Sequence, residues 1–369
     1  MDVLVVKIGA IGDAVMALGA LHWLKSTRPS VRITWVAGER IVPLLQVAGM
    51  VDHIVPVNEE TLFGASRIRA LKAVMDVWKR LWENRYDLAL LGHRDRRYRI
   101  LIPPGRCREI RRFGKIEGRA IPVSGRYHGD EYLRLLSGID DFSMPVFSFP
   151  PLDLPGLDPV LEEILGPKNR PWILLFPGSA KNHLREDPLR RWPIRHYVEL
   201  ADRMTARGYA VIVSGAKSDL WVRDYFKGSK VTDLIGMTDL TALMGVISRA
   251  DVVVAHDSGP LHLALLLLRP LLALFGPTDP KERLPRQKSS SVLPIWKSQE
   301  LPCSPCYDGL TYAPCRQNLC MEKITAREVE EGIEQLLASG DRPGGQGPFA
   351  HRRGEDPERP IPGRDPENP

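Results

Sequence analysis

Two series of short apolar segments, each segment followed by a stretch with helical spacing, constrain this chain more than any other feature. The first series holds "VLVVKI" (3–8), "VRITWVAG" (31–38), "HIVPV" (53–57) and "YDLALLG" (86–92). The second holds "WILLFPG" (172–178), "YAVIVSG" (209–215), "ADVVVA" (250–255) and "LLALFG" (271–276). Most of these segments are continuously apolar rather than alternating, as strands covered on both faces are. Between them lie helical patterns at 13–26, 66–83, 193–207, 217–227, 239–249 and 260–268, the longest being the amphipathic "SRIRALKAVMDVWKRLWE" (66–83). "TAREVEEGIEQLLAS" (325–339) opens with Thr325 and Glu328 at capping-box spacing and predicts a last helix. The class is therefore α/β, with two similar halves whose parallel sheets present their strand ends to a cleft.

The proline-dense "MPVFSFPPLDLPGLDP" (144–159) suits neither a helix nor a central strand. It predicts a connection between a domain at 1–150 and another at 151–339. From Gly340 the chain is rich in proline, glycine and charge, and 340–369 is expected to be a disordered tail. The longest apolar stretch, "LHLALLLLRPLLALFG", is broken by Arg269 and Pro270, and "MDVLVVKIGA" is too short and too acidic for a signal peptide. A cytoplasmic protein is expected. The 51 Lys and Arg against 45 Asp and Glu leave a formal charge of +6, which suits either an anionic partner or simple solubility. Basic residues gather in "HRDRRYR" (93–99) and "RCREIRR" (106–112), without the interleaved aromatics that a nucleic-acid platform needs.

Four stretches carry chemistry. In "KIGAIGDAV" (7–15) a strand runs through Gly9 and Gly12 into a helix with Asp13 in its first turn. Asp13 is either a helix cap or a carboxylate that projects into the cleft as a general base. In "AHDSGPLHLALL" (255–266), Asp257, Ser258 and Gly259 lead from a strand into a helix with Pro260 at its start. Free amides there make an anion seat for a diphosphate, or the Asp/Ser pair is only a cap. His262, one turn on, is a ligand contact or a core histidine. "FPGSAKNHLREDPLRRWP" (176–193) brings Lys181, His183, Arg185, Arg190 and Arg191 to a strand end, where they could neutralise phosphate or face solvent. "FGPTDP" (275–280) sets Thr278 on the same rim.

"DSGPLHLA" followed by "LLALFGPTDP", with "VVKIGAIGDAVMALGALHWLK" at the N-terminus, resembles the glycosyltransferase family that includes the lipopolysaccharide heptosyltransferases, glycosyltransferase family 9. "YDLALLG", "FPGSAKN…RRWP", "VSGAKSD" and "LIGMTDLTALMGVISRADVVVAHDSG" follow in that family's order over about residues 1–338. The resemblance implies a GT-B fold, two Rossmann-like domains with the active site between them. It implies an ADP-activated heptose donor, a lipid-linked core oligosaccharide acceptor of lipopolysaccharide, inversion at the anomeric carbon and no required metal. It makes Asp13 the catalytic base and places Gly12, Ser258, Gly259 and His262 at the donor, with Asp257 orienting the turn and Thr278 nearby. Two positions depart from the family pattern. Arg190 stands where a lysine is usual before the Trp-Pro step, and Lys217-Ser218-Asp219 stands where an acid usually meets the ribose, a role Asp219 would take. Lys181 belongs with the donor phosphates. The acceptor side falls on the first half, with His93, Arg94, Arg96, Arg97 and Arg67 as candidates in "HRDRRYR" and "EETLFGASRIR" (59–69), and with peripheral contact at the cytoplasmic face of the inner membrane.

"CSPCYDGLTYAPCRQNLC" holds Cys303, Cys306, Cys315 and Cys320. Four thiols so spaced either hold a structural zinc or an iron–sulfur cluster or stay reduced, and no catalytic need for them is evident. Two other functions fit the same architecture: a sugar-nucleotide epimerase, which would place its acid/base groups around the sugar, and a non-catalytic nucleotide-sugar binding protein, which would not need Asp13.

Overall fold

The computed structural model describes residues 1–63, 66–116, 119–121, 125–138, 149, 152, 154–178, 186–286, 291–307 and 312–339. The expected tail at 340–369, most of the inter-domain segment, and Lys181 with its neighbours His183 and Arg185 lie outside them.

The first half builds a five-stranded parallel sheet from β1 (Asp2–Val6), β2 (Arg32–Gly38), β3 (His53–Val57), β4 (Tyr86–Leu91) and β5 (Cys107–Arg112), in the order β3-β2-β1-β4-β5. α1 (Ile11–Thr27) and α2 (Val42–Ala48) connect the first three strands, and α3 (Glu59–Phe63) and α4 (Arg67–Leu81) lead to β4. A short antiparallel pair, β6 (Gly114–Ile116) and β7 (Arg119–Ile121), precedes α5 (His128–Ser137), which packs beside α1. The second half begins with α6 (Pro159–Leu165). Its six-stranded sheet holds β8 (Trp172–Phe176), β9 (Ala210–Val213), β10 (Thr232–Asp233), β11 (Val252–His256), β12 (Leu271–Phe275) and β13 (Val292–Trp296), in the order β10-β9-β8-β11-β12-β13. Its helices are α7 (Ile194–Ala206), α8 (Leu240–Arg249), α9 (Gly259–Leu266), α10 (Pro280–Arg283), α11 (Leu319–Glu322) and α12 (Ala326–Ala338).

Every pairing in both large sheets is parallel. The apolar continuity of the central strands follows: Val3 to Val6 and Trp172 to Phe176 are buried on both sides. One cluster of buried residues runs unbroken from β1, α1 and α2 through α8 and α9 to β8 and β11, so the halves share a core rather than merely touch. Glycine makes the closest approach possible. A Cβ on Gly12 of α1 would stand 2.4 Å from the His262 ring on α9, and one on Gly245 of α8 would stand 2.6 Å from Leu157.

Several elements differ from the sequence expectation. "RCREIRR" is not a free basic patch: residues 107–112 are the edge strand β5, paired with β4. Charges belong on an edge, where one side of the strand stays open, and they mask its β character in the sequence. β13 contains Pro294, which its position at the sheet edge allows. The stretch 217–227 is a 3-10 helix (Lys217–Phe226) rather than an α-helix. The capping box at α12 forms as expected, with the Glu328 N–H donating to Thr325 Oγ1 and the Thr325 N–H to Glu328 Oε2.

Candidate active site

In a doubly wound sheet, ligands bind beyond the strand ends where the chain order reverses. Here order reverses between β1 and β4 in one sheet and between β8 and β11 in the other. The loops leaving those four strands carry Lys7 to Asp13, His93, Gly178 and Asp257 to Gly259. Three of the four motifs read from the sequence therefore fall at the two switch points, which face each other across the α1–α9 contact, and the fourth follows the neighbouring β12.

Asp13 lies in the first turn of α1 but caps nothing; the N-cap position is Ala10 and no side chain caps the helix. Its Oδ2 instead accepts from Lys7 Nζ at 2.7 Å. Lys7 is buried at the end of β1, and Asp13 is partly exposed to the cleft. Desolvation of Asp13 opposes ionisation, yet the charge and hydrogen bond of Lys7, with smaller help from His128 and Arg283, bring the carboxyl down to about 2. Asp13 is thus a carboxylate at any working pH. Replacing Lys7 by Met should leave desolvation opposed only by the weaker His128 and Arg283 interactions and so raise the Asp13 pKa. An acid limb absent from the wild-type kcat/KM profile should then appear between about pH 4 and 6. Identical acid limbs in the two proteins would separate Lys7 from the ionisation of Asp13.

Across the cleft, Ser258 is the N-cap residue of α9, yet no side chain caps that helix. The Ser258 hydroxyl donates to the His256 carbonyl at 3.0 Å, away from the helix amides. The first-turn N–H groups therefore keep no side-chain acceptor, which leaves the anion seat open. Gly259 packs toward Ile11 of α1, at ordinary van der Waals distance.

Asp257 is not a cap either. Its buried carboxylate sits between Arg190 Nη1 and Arg283 Nε, both at 3.3 Å, with His262 Nε2 at 3.9 Å. Burial pushes its pKa up, but the two guanidinium groups overcome this and hold it well below the usual carboxylate range. The buried Thr278 adjoins the same carboxyl. Arg190 also donates to the Tyr312 hydroxyl and stacks over Tyr307 and Tyr312, so the arginine at this departure from the family pattern is held on its faces as well as its edge. His262 is buried, its Nδ1 has no hydrogen-bond partner among the described residues, and desolvation brings its pKa to about 4, so it is neutral at pH 7.

Asp219 lies buried in the first turn of the 3-10 helix Lys217–Phe226. Its Oδ2 accepts from the Ala216 N–H at 2.9 Å, while its Oδ1 is buried with no hydrogen-bond partner among the described residues. Gly178, at the end of β8, approaches so closely that a Cβ there would lie 2.4 Å from the carboxyl carbon.

The candidates of the first half separate. His93 is not a basic group. Its Nε2 accepts from the Ile8 N–H at 2.9 Å, its ring stacks on Tyr98 at 3.7 Å, and burial followed by the Lys7 charge drives its pKa well below the ordinary value. It positions the loop after β1. Arg97 is exposed and folded back on Asp95 at 2.7 Å. Arg94 and Arg96 are exposed, and the charge of Arg94 reaches His128 in the cleft. Arg67 is exposed at the start of α4.

Three residues of the site were missed. Lys7 reads only as a strand end. His128, at the start of α5, and Arg283, at the end of α10, meet across the cleft: Arg283 Nη1 donates to His128 Nδ1 at 2.8 Å. Burial, and then Arg283, brings His128 to about 3, so it accepts as a neutral imidazole. Glu282 takes the Gly125 N–H at 2.8 Å, and Arg286 pairs with Asp130 at 2.6 Å. These contacts join the Asp13 and Asp257 clusters into one site. The four cysteines of 303–320 are free thiols, and no three His, Cys, Asp or Glu groups among the described residues gather as a metal set.

Residues 131–312 match the sequence family described as Glycosyltransferase family 9 (heptosyltransferase). Lipooligosaccharide heptosyltransferase 2 of Haemophilus ducreyi is 27% identical over 320 residues, covering 79% of this chain and 88% of that one. Lipopolysaccharide heptosyltransferase 1 of Pseudomonas aeruginosa is 25% identical over 371 residues, covering 91% and 98%. The solved structure of Escherichia coli ADP-heptose lipopolysaccharide heptosyltransferase II superposes with a TM-score of 0.69 at 21% identity, over 92% of this chain and 99% of that one, which shares the GT-B arrangement of two facing parallel sheets. With the same fold, the same matched signature and the switch-point site in place, this chain belongs to glycosyltransferase family 9 and is a glycosyltransferase.

Proposed function

We propose that the protein transfers a heptose from an ADP-sugar to the inner core of a lipopolysaccharide acceptor, with inversion, and that it works at the cytoplasmic face of the inner membrane. In this reading residues 151–339 hold the donor and residues 1–150 the acceptor. The observation that carries it is the uncapped α9 N-terminus facing an ionised Asp13, with the Arg283–His128 contact tying the two sides together.

The donor diphosphate sits on the amides of Ser258 and Gly259, where the helix dipole favours negative charge. Asp219 accepts from the ribose. Arg190 serves the diphosphate side, to which the sequence motif also assigns Lys181. As the sugar–phosphate bond stretches, charge builds on the leaving ADP, and these preorganised donors stabilise it without moving. Asp13 faces the opposite side of the sugar. It accepts the proton of the acceptor hydroxyl as that oxygen attacks the anomeric carbon, and its negative charge also stabilises the cationic sugar ring. Attack from the side away from the leaving group inverts the configuration. A strong base is not needed, because the hydroxyl acidifies as its oxygen bonds to carbon.

No step in this scheme uses a metal, and the thiols of 303–320 lie outside it. An epimerase would need acid/base groups on both faces of the sugar ring, whereas this scheme uses one, Asp13. Incubation with ADP-heptose and with other nucleotide sugars, each with and without a delipidated core oligosaccharide, tests the reading. ADP release should depend on both ADP-heptose and the oligosaccharide. Acceptor-independent conversion of the sugar nucleotide would support the epimerase instead.

A further inference from the structure

The helix α4 spans Arg67 to Leu81 on the outer face of the first sheet. Its core contact uses Val74, Val77 and Leu81, which pack on the strands through Val55, Val57 and Leu91. Four large apolar side chains along the same helix, with its C-cap residue, are not used this way. Ile68 is 82% exposed, Leu71 61%, Met75 52% and Trp82 47%. At 3.6 residues per turn they project within about 60° of one another, so they form one continuous stripe beside the buried one. The 3-10 helix Arg96–Leu101 widens it: the Trp78 indole N–H donates to the Ile100 carbonyl at 2.8 Å, and Ile100 is 51% exposed. Scattered exposed apolar residues need no explanation, but five gathered on one face do.

Charge says what covers the face. α4 carries Arg67, Arg69, Lys72, Lys79 and Arg80 against a single acid, Asp76. Lys72 and Lys79 flank the stripe on its solvent side, and Arg106 lies over the Trp82 ring at 4.3 Å. Arg96 and Arg99 are exposed on the neighbouring 3-10 helix. An apolar stripe containing tryptophan, bordered by cations, is the composition of a helix lying in a lipid interface rather than of a protein–protein core, from which lysine is depleted. No helix among the described residues is long and apolar enough to cross a membrane, so contact through α4 would be peripheral.

We propose that the exposed face of α4, with Ile100, docks the protein on an anionic phospholipid surface. The placement follows the chemistry, and here the inference rests on the transferase reading with its lipid-linked acceptor. α4 begins just after α3, whose Glu59 accepts from the Tyr98 hydroxyl at 2.8 Å; Tyr98 stacks on His93, and His93 holds the loop between β1 and Asp13. The stripe therefore starts at the acceptor side of the cleft. A glycolipid anchored in the same surface would offer its sugar to Asp13 without leaving the bilayer.

The test is sedimentation of the full chain with vesicles of phosphatidylethanolamine and phosphatidylglycerol, and separately of phosphatidylcholine. Wild type should bind the anionic vesicles at least about tenfold more tightly, and the preference should shrink with salt. Two variants separate the contributions: the triple substitution Ile68→Ser, Leu71→Ser, Met75→Ser and the double substitution Lys72→Glu, Lys79→Glu. Each should lose about tenfold or more in vesicle binding while transfer to a delipidated acceptor stays at the wild-type rate. These positions are on the surface, and an unchanged Tm checks that the fold is intact. Wild-type binding that ignores lipid charge, or that survives both variants, would overturn the proposal. So would a wild-type dimer that the triple variant converts to monomer, which would make the face a self-association surface. Loss of transfer to every acceptor with vesicle binding intact would instead count against the transferase reading alone.

Discussion

Asp13→Asn should lower kcat by about 10²- to 10⁴-fold, the range of a lost general base, while ADP affinity stays near wild type. The substitution keeps the shape of the side chain and removes its charge. The amide cannot take the acceptor proton, and the developing positive charge on the sugar ring loses its counter-ion. The donor seat is built from α9 and the arginines around Asp257, none of which uses Asp13 as a direct partner. Lys7 is the one group left exposed to the change, since its buried ammonium loses the partner at 2.7 Å. A modest fall in stability is therefore expected as well, and thermal unfolding run beside the kinetics separates it from the catalytic loss. Normal turnover in a folded variant would remove Asp13 from the mechanism.

The second large effect belongs to Asp257→Ala. Arg190 and Arg283 both lean on this carboxylate at 3.3 Å, and all three are largely buried. Removing the anion leaves two guanidinium groups facing each other in a water-poor site. Breaking a buried ion pair from one side typically costs about 3–5 kcal/mol, because the remaining charge keeps its desolvation penalty. Denaturant unfolding should show a loss of that order, and ADP titration should show weakened binding, since the turn before Ser258 loses its anchor. A loss under about 1 kcal/mol would mean that the two arginines find other partners, and that Asp257 does not organise the site.

The two effects differ in kind. Asp13 acts on the reacting atoms and should show its main effect in turnover, with only a modest cost in stability. Asp257 acts through the residues around it and should be loud in both stability and binding. The Arg283–His128 contact couples them, because α10 reaches the start of α5 through Arg283, Glu282 and Arg286 together.

Much of the architecture was legible in the sequence. A buried parallel strand has no solvent face, so "VLVVKI", "WILLFPG" and "ADVVVA" announce themselves by unbroken apolar runs, and the four chemistry-bearing loops follow such strands. The α12 capping box was likewise local. The edge strands β5 and β13 were not legible, because half of an edge strand is open and its composition need not be apolar. Whether Asp13 and Ser258 are caps could not be read either, since a capping carboxylate and a catalytic one have the same local sequence.

Local sequence determined the elements, the order in which they alternate and the positions of the loops, because helix and strand periodicities are set by neighbours a few residues apart. Tertiary structure alone decided which of those loops share a site and in what charge state. Arg283 meets His128, 155 residues away, only once α10 and α5 pack across the cleft. The low pKa of Asp13 arises, against its burial, from the charge of Lys7, and the neutral His128 and His262 arise from burial, conditions that the chain brings together only when folded.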